Sequence, residues 1–295
     1  MNAKLVKYIR QAGLLVLLTW GGAALAAEPV AMVTDVEGKA VLAEGVERHG
    51  LSILSELKPD ARVQLENGAR MSVVYLVTGQ EYELEGPALI RFKPNQPEAL
   101  SGARPRKAGM ALAKGGNSVR IKPVAVAQAA IVMRDSAPRS RLKLLSLTGT
   151  RTLDARPVFQ WQPPQPGLHY QFELLDDTGK TIFAVVTDGA TMELPAQLEL
   201  KAAVDYSWVV STVLPDGAKY SNVGDFSVAP AGLRVQAEKL RPGEKATVSE
   251  RVLYASWLEQ MELRDEARKY WKSVAAERQG HERLKELMGD EEKEW

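Results

Sequence analysis

Between residues 30 and 228 one pattern recurs: a short run in which apolar and polar side chains alternate, then a turn residue, then another run. Alternation with period two places every apolar side chain on one face of an extended strand, so a chain written this way builds antiparallel sheets with one buried face. In the first stretch, residues 33–36, 40–42, 61–65, 70–76 and 81–84 read as strands, with Gly38, Asn67-Gly68 and Gly79 between them. Asn-Gly between apolar runs accepts positive φ at both central turn positions, which predicts a hairpin there. In the second stretch, residues 158–161, 170–175, 181–186, 206–210 and 225–228 alternate, and Asp176-Asp177-Thr178-Gly179 and Asp216-Gly217 supply turns. These runs predict a compact β module over 30–92 and a β-sandwich of about seven strands over 144–230.

With 295 residues the chain exceeds one typical domain, so a mainly β, multidomain fold is expected. Hydrophobic residues at 45% and charged residues at 25% suffice for packed cores and exclude a wholly disordered chain. The sequence has no cysteine, so packing alone must stabilise these modules, and a thiol nucleophile is excluded.

The N-terminus reads as an export signal. Lys4, Lys7 and Arg10 precede an uncharged stretch over 12–27 that ends in the small-residue triplet Ala24-Leu25-Ala26, which predicts cleavage after Ala26 and delivery to the periplasm. The alternative is an uncleaved anchor in the inner membrane, which the small residues Gly21, Gly22, Ala23 and Ala24 disfavour.

Between 93 and 143 the texture shifts to Pro, Gly, Ala and Ser with many cations and few acids, which predicts a basic linker with short strands at 118–121 and 129–133. Arg104, Arg106, Lys107, Lys114, Arg120 and Lys122 are its candidate contacts to an anionic partner, whether phospholipid, lipopolysaccharide or an acidic protein. Nucleic acid is not expected, since no aromatic residue able to stack on bases follows Phe92 in this stretch.

Over 231–295 a helical tail is expected. Thr247 and Glu250 form a capping box, residues 252–261 supply an apolar face, Leu263-Arg264-Asp265 turns the chain, and residues 267–275 repeat the helical spacing. One such hairpin cannot bury both faces, so it must dock on the sandwich, on a weaker helix around Leu284 and Leu287, or on another chain.

Three resemblances attach to these segments. The run Val33-Thr34-Asp35-Val36-Glu37-Gly38-Lys39-Ala40, the run from Leu54 to Val63 and the run from Leu65 to Val73 resemble the FecR-type periplasmic domain. Some members of that family relay iron-uptake signals to a sigma factor. With only ten residues before the apolar stretch, a sigma-binding domain and that signalling role are not expected here. Phe159-Gln160-Trp161 as an early core strand, with Leu200 six residues before Tyr206, resembles a fibronectin type III or immunoglobulin-like domain. The resemblance implies that the Tyr206 phenol bonds back near Leu200 as a tyrosine corner. Ala255 and Ala267, twelve apart, with Leu258 and Trp271 beside them, resemble one tetratricopeptide repeat, although Arg251 and Gln279 replace its leading Trp and terminal Pro.

Reactive groups are sparse. His49, His169 and His281 fall in three different predicted modules, and His281-Glu282 lacks the second histidine of a zinc-protease helix. No Gly-x-Ser-x-Gly elbow occurs, and Gly109, Gly115 and Gly116 lack the Lys-Ser or Lys-Thr of a phosphate loop. Asp176 and Asp177 read as a turn, and Trp161, Trp208, Trp257 and Trp271 as core. The expectation is therefore a protein with no catalytic, cofactor or metal residues, acting by contact with other envelope proteins. Peptidoglycan or another glycan is the alternative partner.

Overall fold

The computed structural model describes residues 28–44, 47–110, 142–278 and 282–288. The export segment over 1–26, the strands expected at 118–121 and 129–133, and Lys114, Arg120 and Lys122 lie outside the described residues. The fold is mainly β and multidomain, and among the described residues the helices all lie in the C-terminal tail.

The first module contains β1 (Ala31–Glu37), β2 (Ala40–Glu44), β3 (Glu47–Gly50), β4 (Glu56–Leu57), β5 (Arg62–Leu65), β6 (Arg70–Tyr75), β7 (Gln80–Glu85), β8 (Ala88–Phe92), β9 (Pro97–Gly102) and β10 (Arg106–Met110). They form two five-stranded sheets in the orders β10-β7-β6-β1-β4 and β3-β2-β5-β8-β9 around one core. Alternation selects what faces it: Val63 and Leu65 from β5, Met71 and Val73 from β6, Tyr82 and Leu84 from β7, and Ala88, Ile90 and Phe92 from β8 are all buried.

Two expectations fail here for physical reasons. Asn67-Gly68 does turn the chain, with the Ala69 amide donating to the Glu66 carbonyl at 3.1 Å, but β5 and β6 are not paired. The turn is a corner that carries the chain from one sheet to the other, beside the second such corner at Gly38, where a Cβ would stand 3.0 Å from the Ala69 Cα. The expected linker also starts too early, because β9 and β10 belong to the first module: β9 pairs β8 and β10 pairs β7. Both are edge strands, where Pro97 and the cations of β10 are tolerated, so composition imitates a connector.

The second module adds β11 (Lys143–Leu144), β12 (Thr150–Thr152), β13 (Val158–Gln162), β14 (Tyr170–Leu175), β15 (Thr181–Thr187), β16 (Thr191–Glu193), β17 (Asp205–Val213) and β18 (Lys219–Val228). A three-stranded sheet, β11-β13-β16, faces a five-stranded one, β12-β18-β17-β14-β15. Phe159 and Trp161 of β13 pack between the sheets against Phe172 and Trp208, in edge, stacked and tilted geometries, and all four rings are buried. Tyr206 stacks on Phe226 while its phenol oxygen accepts the Lys201 amide at 2.9 Å, next to buried Leu200. Tyr206→Phe keeps the ring and leaves that amide without its acceptor, so unfolding in urea should weaken by about 1 kcal/mol with an unchanged slope.

The tail comprises α1 (Ala231–Leu240), α2 (Val248–Gln260), α3 (Arg264–Glu277) and α4 (Glu282–Met288). Thr247 caps α2 reciprocally with Glu250, the arrangement the sequence announces. The turn of the hairpin comes earlier than expected: Glu262 takes the left-handed conformation at φ 62° and α3 already starts at Arg264. Ala255, Leu258, Ala267 and Trp271 are fully buried along the α2–α3 contact, where the two alanines let the helices approach. Helix α1, at the start of the expected helical tail, is held by the Tyr254 hydroxyl donating to the Ala237 carbonyl at 2.9 Å.

Candidate functional site

The tail takes two of its expected docking places, the sandwich and the last helix, and adds a third: Leu284 of α4 covers part of the hairpin, the start of α3 meets β12, and α2 lies on β1, so that residues of α1 to α4 share one core with both sheets of the first module. Strand β1 shows why. Ala31, Met32, Val33 and Thr34 are all buried, with no alternation, because one face meets the opposite sheet and the other meets α2. The unbroken apolar run from Val30 to Val33 is the signature of a strand covered on both sides.

Polar contacts fix the orientation of this interface. The Ser249 hydroxyl on α2 hydrogen-bonds the Glu81 carboxylate of β7, and its oxygen lies 2.8 Å from Thr34 Oγ1 of β1. At the C-terminus of α3, Arg278 donates from Nε and Nη2 to the two oxygens of Asp35, at 2.9 and 3.0 Å, and Nη2 also meets Glu37. These partners stand 168 to 243 residues apart in sequence.

The start of α3 grips the sandwich in turn. The Leu147 amide donates to Asp265 Oδ2 at 2.7 Å, the Arg264 amide to Thr150 Oγ1 at 3.0 Å, and the Arg151 amide to the Glu262 carbonyl at 2.7 Å. Arg151 adds an ion pair to Glu262 at 2.9 Å. One helical hairpin therefore clasps both β modules.

Where the tail leaves the first module, a cleft of about 540 Å³ opens between β1, β6, β7 and β10 on one side and α1 and α2 on the other. Its walls carry six carboxylates, Asp35, Glu37, Glu81, Glu83, Glu85 and Glu250, against Arg70 and Arg106. Three of them follow from alternation, since Glu81, Glu83 and Glu85 occupy every second position of β7 and face away from the core. The others come from β1 and α2, so only folding assembles the group. Glu81 is the deepest in character: burial raises its pKa, the Ser249 hydroxyl partly offsets that, and Glu250, Glu83 and Asp35 push it further up.

A carboxyl with a raised pKa is where acid catalysis could begin, but this one is committed to the hydroxyl that ties α2 to β7. Its raised pKa has a sign for stability. Between the unfolded and folded pKa values the folded state holds more protons, so stability falls as pH rises through that interval. Glu81→Gln keeps an acceptor for Ser249 and removes the buried charge. The variant should melt higher than the parent at neutral pH, and the gain should disappear as acidification protonates the parent's Glu81.

The candidate basic contacts take a different place from the one expected. Arg104, Arg106 and Lys107 are exposed, but Arg106 pairs with Glu83 across the β7–β10 ladder and lines the acidic cleft. Arg106 thus sits on an acidic wall. Trp161, Trp208, Trp257 and Trp271 are each at most 1% exposed, which leaves no aromatic platform for a sugar among them. His169 meets Asp188, yet both are more than three-quarters exposed, where such a pair contributes little. The Asp176 carboxylate accepts the Thr178 and Lys180 amides and the Thr178 hydroxyl, so it closes the β14–β15 turn. Among the described residues, no three His, Asp or Glu side chains converge as a metal ion requires.

No family model matches the chain, and no curated protein does. Among solved structures, CopC from Methylosinus trichosporium OB3b is similar at 19% identity, over 30% of this chain and 95% of that one, with a TM-score of 0.24. No helix among the described residues is long and apolar enough to cross a membrane.

Proposed function

We propose that this chain is a non-enzymatic scaffold of the bacterial cell envelope, working in the periplasm and holding other envelope proteins on two β modules set at a fixed angle. The observation that supports the reading is the clasp. Apolar contact alone would attach the tail, whereas the bidentate Arg278–Asp35 pair and the Asp265 and Thr150 contacts also specify orientation. Fixed orientation is useful to a protein that presents surfaces to several partners at once.

On this reading the first module is FecR-like in build. The second is a fibronectin type III relative, for which the three-against-five strand arrangement and the Tyr206–Lys201 bond speak. The α2–α3 hairpin, with Ala255 and Ala267 at its contact, serves as a single tetratricopeptide-like unit turned inward as a clasp.

Two measurements test the proposal. Cell fractionation with N-terminal sequencing should find the protein in the periplasm starting at Ala27, and intact precursor in the cytosol would refute the location. Crosslinking in whole envelopes followed by mass spectrometry should recover a defined partner set from the parent and a reduced one from Arg278→Glu, which reverses the charge at the clasp. Identical partners from both would remove the clasp's role.

A further inference from the structure

The edges of the sheets carry an inference of their own, independent of the scaffold role. An exposed edge strand offers unpaired backbone N–H and C=O groups to any other chain, and proteins blunt such edges with charge, proline or shortness. This one does so at nearly every edge. Strand β3 carries Arg48, β9 opens on Pro97 and carries Glu98, and β10 carries Arg106 and Lys107. Strands β4, β11, β12 and β16 have only two or three residues. Strand β15 is the exception. Its seven residues, Thr-Ile-Phe-Ala-Val-Val-Thr, contain no charge, proline or glycine, and among the described residues it pairs with β14 alone. Val186 on it is 69% exposed.

We propose that β15 pairs antiparallel with β15 of a second copy of this chain, about a two-fold axis through Ala184, joining the two five-stranded sheets into one. The flanking charges choose the occupant. In a two-fold antiparallel pair centred on Ala184, the Lys180 end of each strand lies beside the Asp188 end of the other, so opposite charges flank the seam on both sides. In the same register Phe183 of each copy faces Val185 of the other on the core side of the sheet, so half-buried apolar side chains gain cover from the second copy. The irregularity at Ile182, where Leu175 already stands opposite Thr181, leaves Phe183 to Thr187 in unbroken register. The long stem of Lys180 spans the offset.

The test uses the purified full chain. Sedimentation should show a concentration-dependent dimer, and Ala184→Lys, which sets two ammonium groups against each other on the axis, should weaken it about tenfold or more. Because the chain has no cysteine, Ala184→Cys introduces the only thiol. A short bifunctional maleimide should link two copies through it, since facing Cβ atoms in paired strands stand about 5 Å apart. Val223→Cys, on the same sheet three strands further in, should stay unlinked. Lys180→Asp and Asp188→Lys should each dimerise poorly alone, and an equimolar mixture should recover the dimer, since each chain then supplies the charges the other lacks. A parent that stays monomeric up to its solubility limit overturns the proposal, as does a mixture that recovers nothing.

Discussion

Trp271→Ala should remove about 3–5 kcal/mol of unfolding free energy, among the largest losses any single truncation in this protein can produce. The indole lies fully buried on α3, where the helical hairpin is packed against itself and against the first module. Its removal opens a cavity that α2 cannot close, because Thr247, Ser249 and Arg251 hold that helix in place through the cap, Glu81 and Glu277. A second cost follows. Trp271 Nε1 donates to Glu259 Oε1 at 3.3 Å, and Glu259 already has its pKa raised by burial. Without the indole that carboxylate keeps its desolvation and loses a donor. The loss should appear as a lower urea midpoint and as early proteolytic cutting between α1 and α2 while both β modules still resist. Trp271→Phe fills much of the volume and should recover more than half of the loss. An unchanged midpoint for Trp271→Ala would mean that the hairpin does not hold the modules together.

How much of this was legible depends on whether a contact is local. The alternating runs, the Thr247–Glu250 cap and the small residues at Ala255 and Ala267 are readable because their partners lie within a few residues or on the same strand face. The Asn67-Gly68 turn is readable as a turn but not as a corner, since the destination of β6 is decided by its pairing with β1 and β7. Strands β9 and β10 are hidden by their own edge protection, which has the composition of a linker.

The site is legible only in fragments. Glu81, Glu83 and Glu85 announce one acidic strand face, and the apolar run before Asp35 announces a strand covered on both sides. What covers it could have been inferred from the tail, whose hairpin has an unpaired apolar face. The two halves were not matched because nothing local links residue 34 to residue 249. The cations were misleading for a related reason. Charge counted along the chain says little about a surface where Arg106 is set among carboxylates from three other elements.

Arg278→Ala tests the part of the clasp that hydrophobicity does not supply, and about 2–3 kcal/mol should be lost. The guanidinium is 16% exposed and its chief partner Asp35 is 19% exposed, so the pair is mostly shielded from water and the two parallel bonds are strong. Removing the cation does more than delete two hydrogen bonds. Asp35 and Glu37 are left with no counter-charge from the tail, beside Glu81 and Glu83, and that like-charge repulsion acts directly on the surface α2 must cover. Arg278→Lys should recover little, because a single ammonium cannot bridge both oxygens of Asp35 while also reaching Glu37. Arg278→Ala combined with Asp35→Asn should recover part of the loss by removing the stranded charge. The Arg278 pKa is raised, chiefly by its hydrogen bonds to Asp35, so its contribution is complete below the unfolded pKa of arginine and lost only far above neutrality. The deficit of Arg278→Ala should therefore hold steady across the neutral range. Urea melts of the parent and three variants across that range would decide it: a deficit that instead grows toward acid would place the stabilising charge elsewhere.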